Sequence, residues 1–205
     1  MRQSQHDFYV VVVHRAPFMI TASTVNLVYA SIAMKRSFHL IEQIGSALTV
    51  ARTKGIERLY SDELPFQEGD YALLIDDDIL IANNWSDIVK SFSEAEDLGI
   101  NIIGGYVDAH NNPTYKFIVD NEVQKTVPLD TFSKAKTYLK SMRDWQLPLG
   151  FYYGRIPKGY VFRMSDKGED FNFFDDNKDI HSHTFLDERI NLGHYKSGFL
   201  FLPKS

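Results

Sequence analysis

The stretch Tyr71-Ala72-Leu73-Leu74-Ile75-Asp76-Asp77-Asp78-Ile79-Leu80-Ile81 decides how the rest of the chain is read. Five apolar residues in a row, without alternation, form the pattern of a strand covered on both faces, as in a parallel sheet. Three adjacent carboxylates at its carboxyl end repel one another unless a cation stands close by. Open α/β sheets bind ligands at that end of their strands. The stretch therefore predicts an anionic cluster where a metal-held ligand would sit. The plainer alternative is a solvated acidic turn leading into the next helix.

Outward from this strand, Phe8–Val13 reads as a buried first strand that ends at His14-Arg15-Ala16-Pro17. Val25, Val28, Tyr29 and Ile32 recur at helical spacing and predict a helix from about Thr21 to Lys35 with that face inward. Ile41, Ile44, Leu48 and Ala51 predict a second helix, ending near Lys54 and Gly55. Asn84 is placed to cap a helix, with Asp87 as the third residue of a capping box and Trp85, Ile88, Val89 and Phe92 as its buried stripe. Gly99 closes that helix and Asn101–Val107 follows as a strand. Thr114–Val119 and Val123–Val127 resemble a hairpin, and Asp130 heads a predicted helix carrying Phe132, Ala135, Leu139 and Met142. Beyond Gly150 come short aromatic strands, a helical piece near Asp170–Asp179 and a last strand near Thr184–Ile190. The expectation is one α/β domain over residues 1–205, a layered sandwich with a mixed, parallel-dominated central sheet.

Composition narrows the function. A chain of 205 residues suits one sizeable core, and 44% hydrophobic with 24% charged residues is ordinary for a globular protein. The net charge of −5, with no basic stripe, argues against a nucleic-acid partner. It leaves a nucleotide ligand open, because a divalent ion neutralises phosphates locally. With no cysteine there is neither a disulfide framework nor a thiolate metal site. Met1–Asp7 lacks the apolar core of a signal peptide, and no apolar run approaches the ~20 residues of a membrane span. A cytoplasmic protein without a transmembrane segment is expected. The abrupt ending Gly198-Phe-Leu-Phe-Leu-Pro-Lys-Ser205 is also compatible with one module of a longer chain.

Four groups of residues have the chemistry for a site. Asp76 and Asp78 form an Asp-x-Asp pattern whose outer carboxylates can face one cleft and one ion. Hard divalent cations favour such oxygens, and Mg²⁺ completes its shell with substrate phosphates. His194, after the last strand, makes a mixed imidazole–carboxylate set with Asp78, which tilts the ion towards Mn²⁺. His181 and His183 read as surface residues beside a turn. Glu169-Asp170 precedes Phe171, Phe173 and Phe174, and aromatic neighbours make a carboxylate a better base by desolvating it. Helix capping by Asp170 is the competing account. Arg52 offers a fork-shaped donor to a phosphate or to a cleft carboxylate; alternatively it is a solvated cation near a helix end.

The order of these pieces resembles the GT-A class of nucleotide-sugar glycosyltransferases, of the small microbial or virus-encoded size. Val10–Pro17 looks like its nucleotide-binding strand and loop, and Ala51-Arg52-Thr53 like its Ala-Arg-Asn helix end, with Thr53 in place of Asn. Tyr71–Ile81 is similar to the Asp-x-Asp strand, and Ile103-Gly104-Gly105-Tyr106 to the Gly-Gly strand near the donor sugar. Gly168-Glu169-Asp170-Phe171 looks like the Glu-Asp segment, and Asp187 through Gly193-His194 like the closing Asp–Gly-His pattern. Gly150-Phe151-Tyr152-Tyr153-Gly154 only loosely represents the family's Gly-x-Gly-Phe strand.

That resemblance implies Asp78 and His194 as metal ligands, with Asp76 touching the ribose or the metal through water. It implies His14, Arg15 and Ala16 around the base and ribose, Arg52 on the diphosphate side, and Asp77, Gly104 and Gly105 along the nucleotide-sugar. Asp170, with Glu169 beside it, becomes the carboxylate near the reacting sugar. The expected activity is metal-dependent transfer of a sugar from a nucleoside diphosphate, UDP for preference, to a hydroxyl of a glycan, protein or lipid. Mn²⁺ or Mg²⁺ is the expected cofactor, and host cytoplasm the location if the gene is viral. Two rivals remain: a phosphohydrolase or nucleotidyltransferase built on the Asp cluster, and a non-catalytic nucleotide-sugar-binding module. The first is disfavoured because the acidic turn lies far into the chain and Val13–Phe18 has no glycine.

Overall fold

The computed structural model describes residues 7–14, 21–45, 47–107, 115–119, 122–127, 134–136, 139–141, 150–166, 168–196 and 199–201. Its first part runs Phe8–His14 (β1), Thr21–Ala33 (α1), Phe38–Ile44 (β2), Leu48–Leu59 (α2), Tyr71–Asp76 (β3), Ile79–Ile81 (β4), Trp85–Asp97 (α3) and Ile102–Val107 (β5). Tyr115–Val119 (β6) and Glu122–Val127 (β7) make the expected hairpin as a separate two-stranded sheet. Then come Lys134–Lys136 (β8), Leu139–Ser141 (β9), Phe151–Arg155 (β10), Glu169–Asp176 (α4), Lys178–His181 (α5), Thr184–Lys196 (β11) and Phe199–Phe201 (β12).

All strands outside the hairpin join one mixed sheet in the order β2-β1-β3-β10-β5-β11-β9-β8, with β4 and β12 on β11. Parallel pairing holds through β2-β1-β3 and again between β5 and β11. The antiparallel β10 separates these two blocks. Alternate residues of β1 divide the core. Tyr9, Val11 and Val13 pack with α2 and with Phe173 and Phe174 of α4; Phe8, Val10 and Val12 pack with Leu27 and Ala30 of α1 and Ile88 and Phe92 of α3. Helices thus cover both faces, which is why β1 and β3 read as unbroken apolar runs. Fully buried aromatics such as Phe92 and Phe173 each contribute about 1.5–3 kcal/mol.

Several expected elements take another form. Residues 38–44 are a strand, not a helix: Ile41 is buried on β1 and Ile44 is 54% exposed, so their helical spacing was incidental. In place of the helix expected after Asp130, Ala135 and Leu139 lie in the short strands β8 and β9, and Leu139 is buried. Asp130, Phe132 and Met142 are outside the described residues. The α1 helix is present but turned over. Val25, Tyr29 and Ile32 are exposed, whereas Ser23, Leu27, Ala30 and Ser31 are buried. The cause is Ser23, whose hydroxyl donates to Ile79 O and accepts from Ile81 N at 2.9 Å. Small polar residues satisfy the backbone of β4 and so claim the inner face. Asn84 caps α3 as expected, accepting from Ser86 N and Asp87 N, but Trp85 is 42% exposed and leaves Ile88 and Phe92 as the buried stripe.

Candidate functional site

The carboxyl ends of β1, β2 and β3 finish together, with Val13 beside Asp76 and His14 beside Ile44 in the ladders. The acidic turn that leaves β3 is fastened on both sides. Asp76 N donates to Gly150 O at 2.9 Å and Asp77 N to Val13 O at 3.1 Å. Because side chains alternate across a sheet, Asp76 and Asp77 part company. Asp76 faces the α2 side, and Asp77, 8% exposed, turns to His14 on the α1 side.

Arg52 answers Asp76. It stands among Ala51, Gly55, Ile56 and Leu59 on the buried face of α2 and is 1% exposed. Its Nη2 donates to both oxygens of Asp76, at 3.0 and 2.9 Å. Its Nη1 donates to Glu169 Oε1 at 3.0 Å and to Asp170 Oδ1 at 3.2 Å. The guanidinium carbon lies 5.9 Å from the centre of the Phe162 ring. Burial pushes this guanidinium towards losing its proton, and Asp76, Asp170 and Glu169 more than reverse the push, so it stays charged. Burial raises the Asp76 carboxyl above its ordinary value; Arg52 opposes the rise, and Asp78 and Asp77 add to it. Among the described residues one positive charge therefore faces three carboxylates, with Asp77 and Asp78 beside them.

Glu169 and Asp170 open α4. The residue before them, Gly168, takes φ 98°, a conformation that side-chain-bearing residues rarely adopt. With no side-chain cap there, the two acids supply the negative charge that a helix amino terminus favours. Asp170 is thus not the cap. The two acids point to the same side: both reach the same nitrogen of Arg52.

The remaining expected residues fall as follows. His14 is 2% exposed, its Nδ1 3.6 Å from Asp77 and its Nε2 3.5 Å from Glu42. Arg15 and Ala16 lie outside the described residues. The backbone of His194 pairs with Ile79 across the β4–β11 ladder, next to Asp78; its side chain is not among those described. Gly105 is required by packing, since a Cβ there would stand 2.5 Å from Ile190 Cγ2; Gly104 faces Tyr152 and Leu186. Asp187, fully buried, accepts from Ser91 Oγ and from Arg189, which also pairs with Glu94. His183 is exposed, and His181 rests against Phe174.

What the sequence did not reveal is that Arg52, Asp76, Glu169 and Asp170 form one cluster across separations of 24 and 118 residues. A signal was present. Arg52 interrupts an otherwise apolar helix face, and a buried arginine requires carboxylate partners.

No known family model matches this sequence, and no curated protein does. Among solved structures, that of A197 from STIV is similar over 96% of this chain and 95% of that one, with 13% sequence identity and a TM-score of 0.49. So distant a likeness assigns nothing to this chain. Among the described residues no group of three histidines, aspartates or glutamates is arranged around a point where an ion would bind, and no helix is long and apolar enough to cross a membrane.

Proposed function

We propose that this protein is a glycosyltransferase of the GT-A kind, taking a sugar from a nucleoside diphosphate, UDP for preference, and passing it to a hydroxyl of a glycan, protein or lipid. The observation that carries the reading is the convergence of the Asp76–Asp78 turn with Glu169 and Asp170 at the carboxyl edge of β1 and β3, through Arg52. Among the described residues the cluster holds more negative than positive charge, which suits a ligand that arrives with a cation. The donor set fits Mn²⁺: Asp78 supplies a hard oxygen, and His194 stands beside it by strand register. When bound, such an ion supplies positive charge against the leaving diphosphate.

The chain's own groups do the rest. Asp170, 29% exposed against 13% for Glu169, is the member of the α4 pair more open to solvent. In an inverting reaction it takes the proton of the acceptor hydroxyl; in a retaining one its charge stabilises the cationic sugar carbon. The anomeric form of the product, read by NMR, decides between them. A cysteine-free chain suits the cytoplasmic location that goes with this reading.

Calorimetric titration of UDP with Mn²⁺ or with EDTA tests the proposal. Binding is expected with Mn²⁺ and should be lost in EDTA, and Asp78→Ala in Mn²⁺ should behave like wild type in EDTA. Equal affinity in all three sinks the metal-linked site. UDP release from a panel of UDP-sugars then separates an enzyme from an inert binding module.

A further inference from the structure

We propose that Arg52 is a positioning residue: its guanidinium fastens the start of α4 to the end of β3, and so sets where Glu169 and Asp170 stand relative to the acidic turn. The sequence resemblance implies a different task, support of a substrate diphosphate. The geometry disfavours that task, because Arg52 is 1% exposed and both terminal nitrogens are already given to carboxylates.

Each nitrogen serves one arm of the clamp. Nη2 holds both oxygens of Asp76, and Nη1 holds Glu169 and Asp170. A lysine is a single point of charge and cannot fork in this way. Nε, also buried, has no hydrogen-bond partner among the described residues, so the ring of donors is aimed at the carboxylates rather than at full satisfaction of the arginine. The loop before α4 is fixed by the same helix. Phe162 N donates to Thr53 Oγ1 at 3.0 Å, the Phe162 ring stacks on Phe173 of α4, and Asn172 Nδ2 donates to Arg163 O. Aromatic packing therefore holds the body of α4, while its uncapped first turn depends on Arg52. Glu169 and Asp170 stand between two positive ends, the helix amino terminus and the guanidinium.

The structural half of this proposal stands by itself, and the kinetic half rests on the glycosyltransferase reading. The test uses the full chain carrying Arg52→Lys, and separately the double change Glu169→Gln with Asp170→Asn, which releases the clamp from the other side and leaves Arg52 on Asp76. Hydrogen exchange of the Asn172 and Phe173 amides, whose carbonyl partners lie in that first turn, is expected to quicken on the order of tenfold in both, with β1 and β3 unchanged, as for a local opening. In Arg52→Lys, kcat on a UDP-sugar should fall on the order of 10²-fold, the scale of an ångström's misplacement, with KM and UDP affinity kept. Wild-type exchange in both variants overturns the clamp. A loss of UDP affinity with unchanged exchange also overturns it, and returns Arg52 to the diphosphate. If the wild type turns over no UDP-sugar, the enzyme reading fails, and exchange still decides the clamp.

Discussion

Two arginines in this molecule, Arg52 buried and Arg36 half-buried, are surrounded differently. Arg36 forks onto Glu96 at 2.6 and 2.7 Å, and the Tyr153 hydroxyl donates to the same carboxylate. That group joins the end of α1 to α3 and β10, and its formal charges cancel. Arg52 meets three carboxylates at the carboxyl edge of the parallel strands, and among the described residues its charges do not cancel. A balanced cluster is sufficient for holding elements together. An unbalanced one pays in repulsion for something else, and its position at the strand ends points to a ligand. Arg52 is the more deeply buried, 1% against 14% exposed, and bears the larger desolvation cost; one carboxylate would balance its charge, so the two beyond it are the informative difference.

The largest expected effect breaks the comparison on the catalytic side. Asp170→Asn keeps its shape but cannot take a proton, so turnover of a UDP-sugar should fall ~10²–10⁴-fold. Melting temperature and UDP–Mn²⁺ affinity should stay near wild type, since Arg52 keeps Asp76 and Glu169. Unchanged turnover would make the Arg52 cluster as structural as the Arg36 one. Glu169→Gln is not a neutral control for this measurement, because Glu169 shares Nη1 with Asp170.

Next comes His194→Ala, for which Mn²⁺ affinity measured by calorimetry should weaken on the order of tenfold or more, with the fold intact. The same titration on an Arg36→Met protein should show wild-type Mn²⁺ affinity, which sharpens the division between the clusters. Glu96→Gln has the opposite profile. It takes the charge from a hydrogen-bonded, 16% exposed carboxylate, and chemical denaturation should show a loss of about 1.5–3 kcal/mol. UDP binding should not change.

The smallest effect is on pH dependence. Asp76 has a folded-state pKa raised above its ordinary 3.8, chiefly by burial. The folded protein therefore holds that proton more tightly than the unfolded one, and its contribution to stability is lost as pH rises from about 4 through the raised value. Asp76→Asn does not titrate, so its melting temperature relative to wild type should improve across that window in EDTA-containing buffer. A relative decline would mean that the attraction of Arg52 outweighs burial.

Legibility followed how local each cause was. β3 and its acidic turn were readable because burial on both faces writes an unbroken apolar run, and Asn84 because a cap acts within three residues. The inward face of α1 was misread because Ser23 is chosen by a backbone 56 residues away, at Ile79. The helical reading of residues 38–44 fails because β2 is an edge strand partly covered on both faces, Ile41 on one and Phe38 and Leu40 on the other, so it lacks alternation and four apolar residues fit helical spacing by chance.

By itself the sequence determined the α/β class, the buried strand that ends in carboxylates, and the presence of a forked cation and a second acidic pair. It could do so because hydrophobic pattern and residue chemistry are local properties. Only the tertiary structure decided that Asp76 belongs to Arg52 and Asp77 to His14, that Glu169 and Asp170 act on the same side, and that the charges of the described residues there fail to cancel. Those are facts of proximity between segments 24 to 118 residues apart, set by sheet order and by the uncapped start of α4.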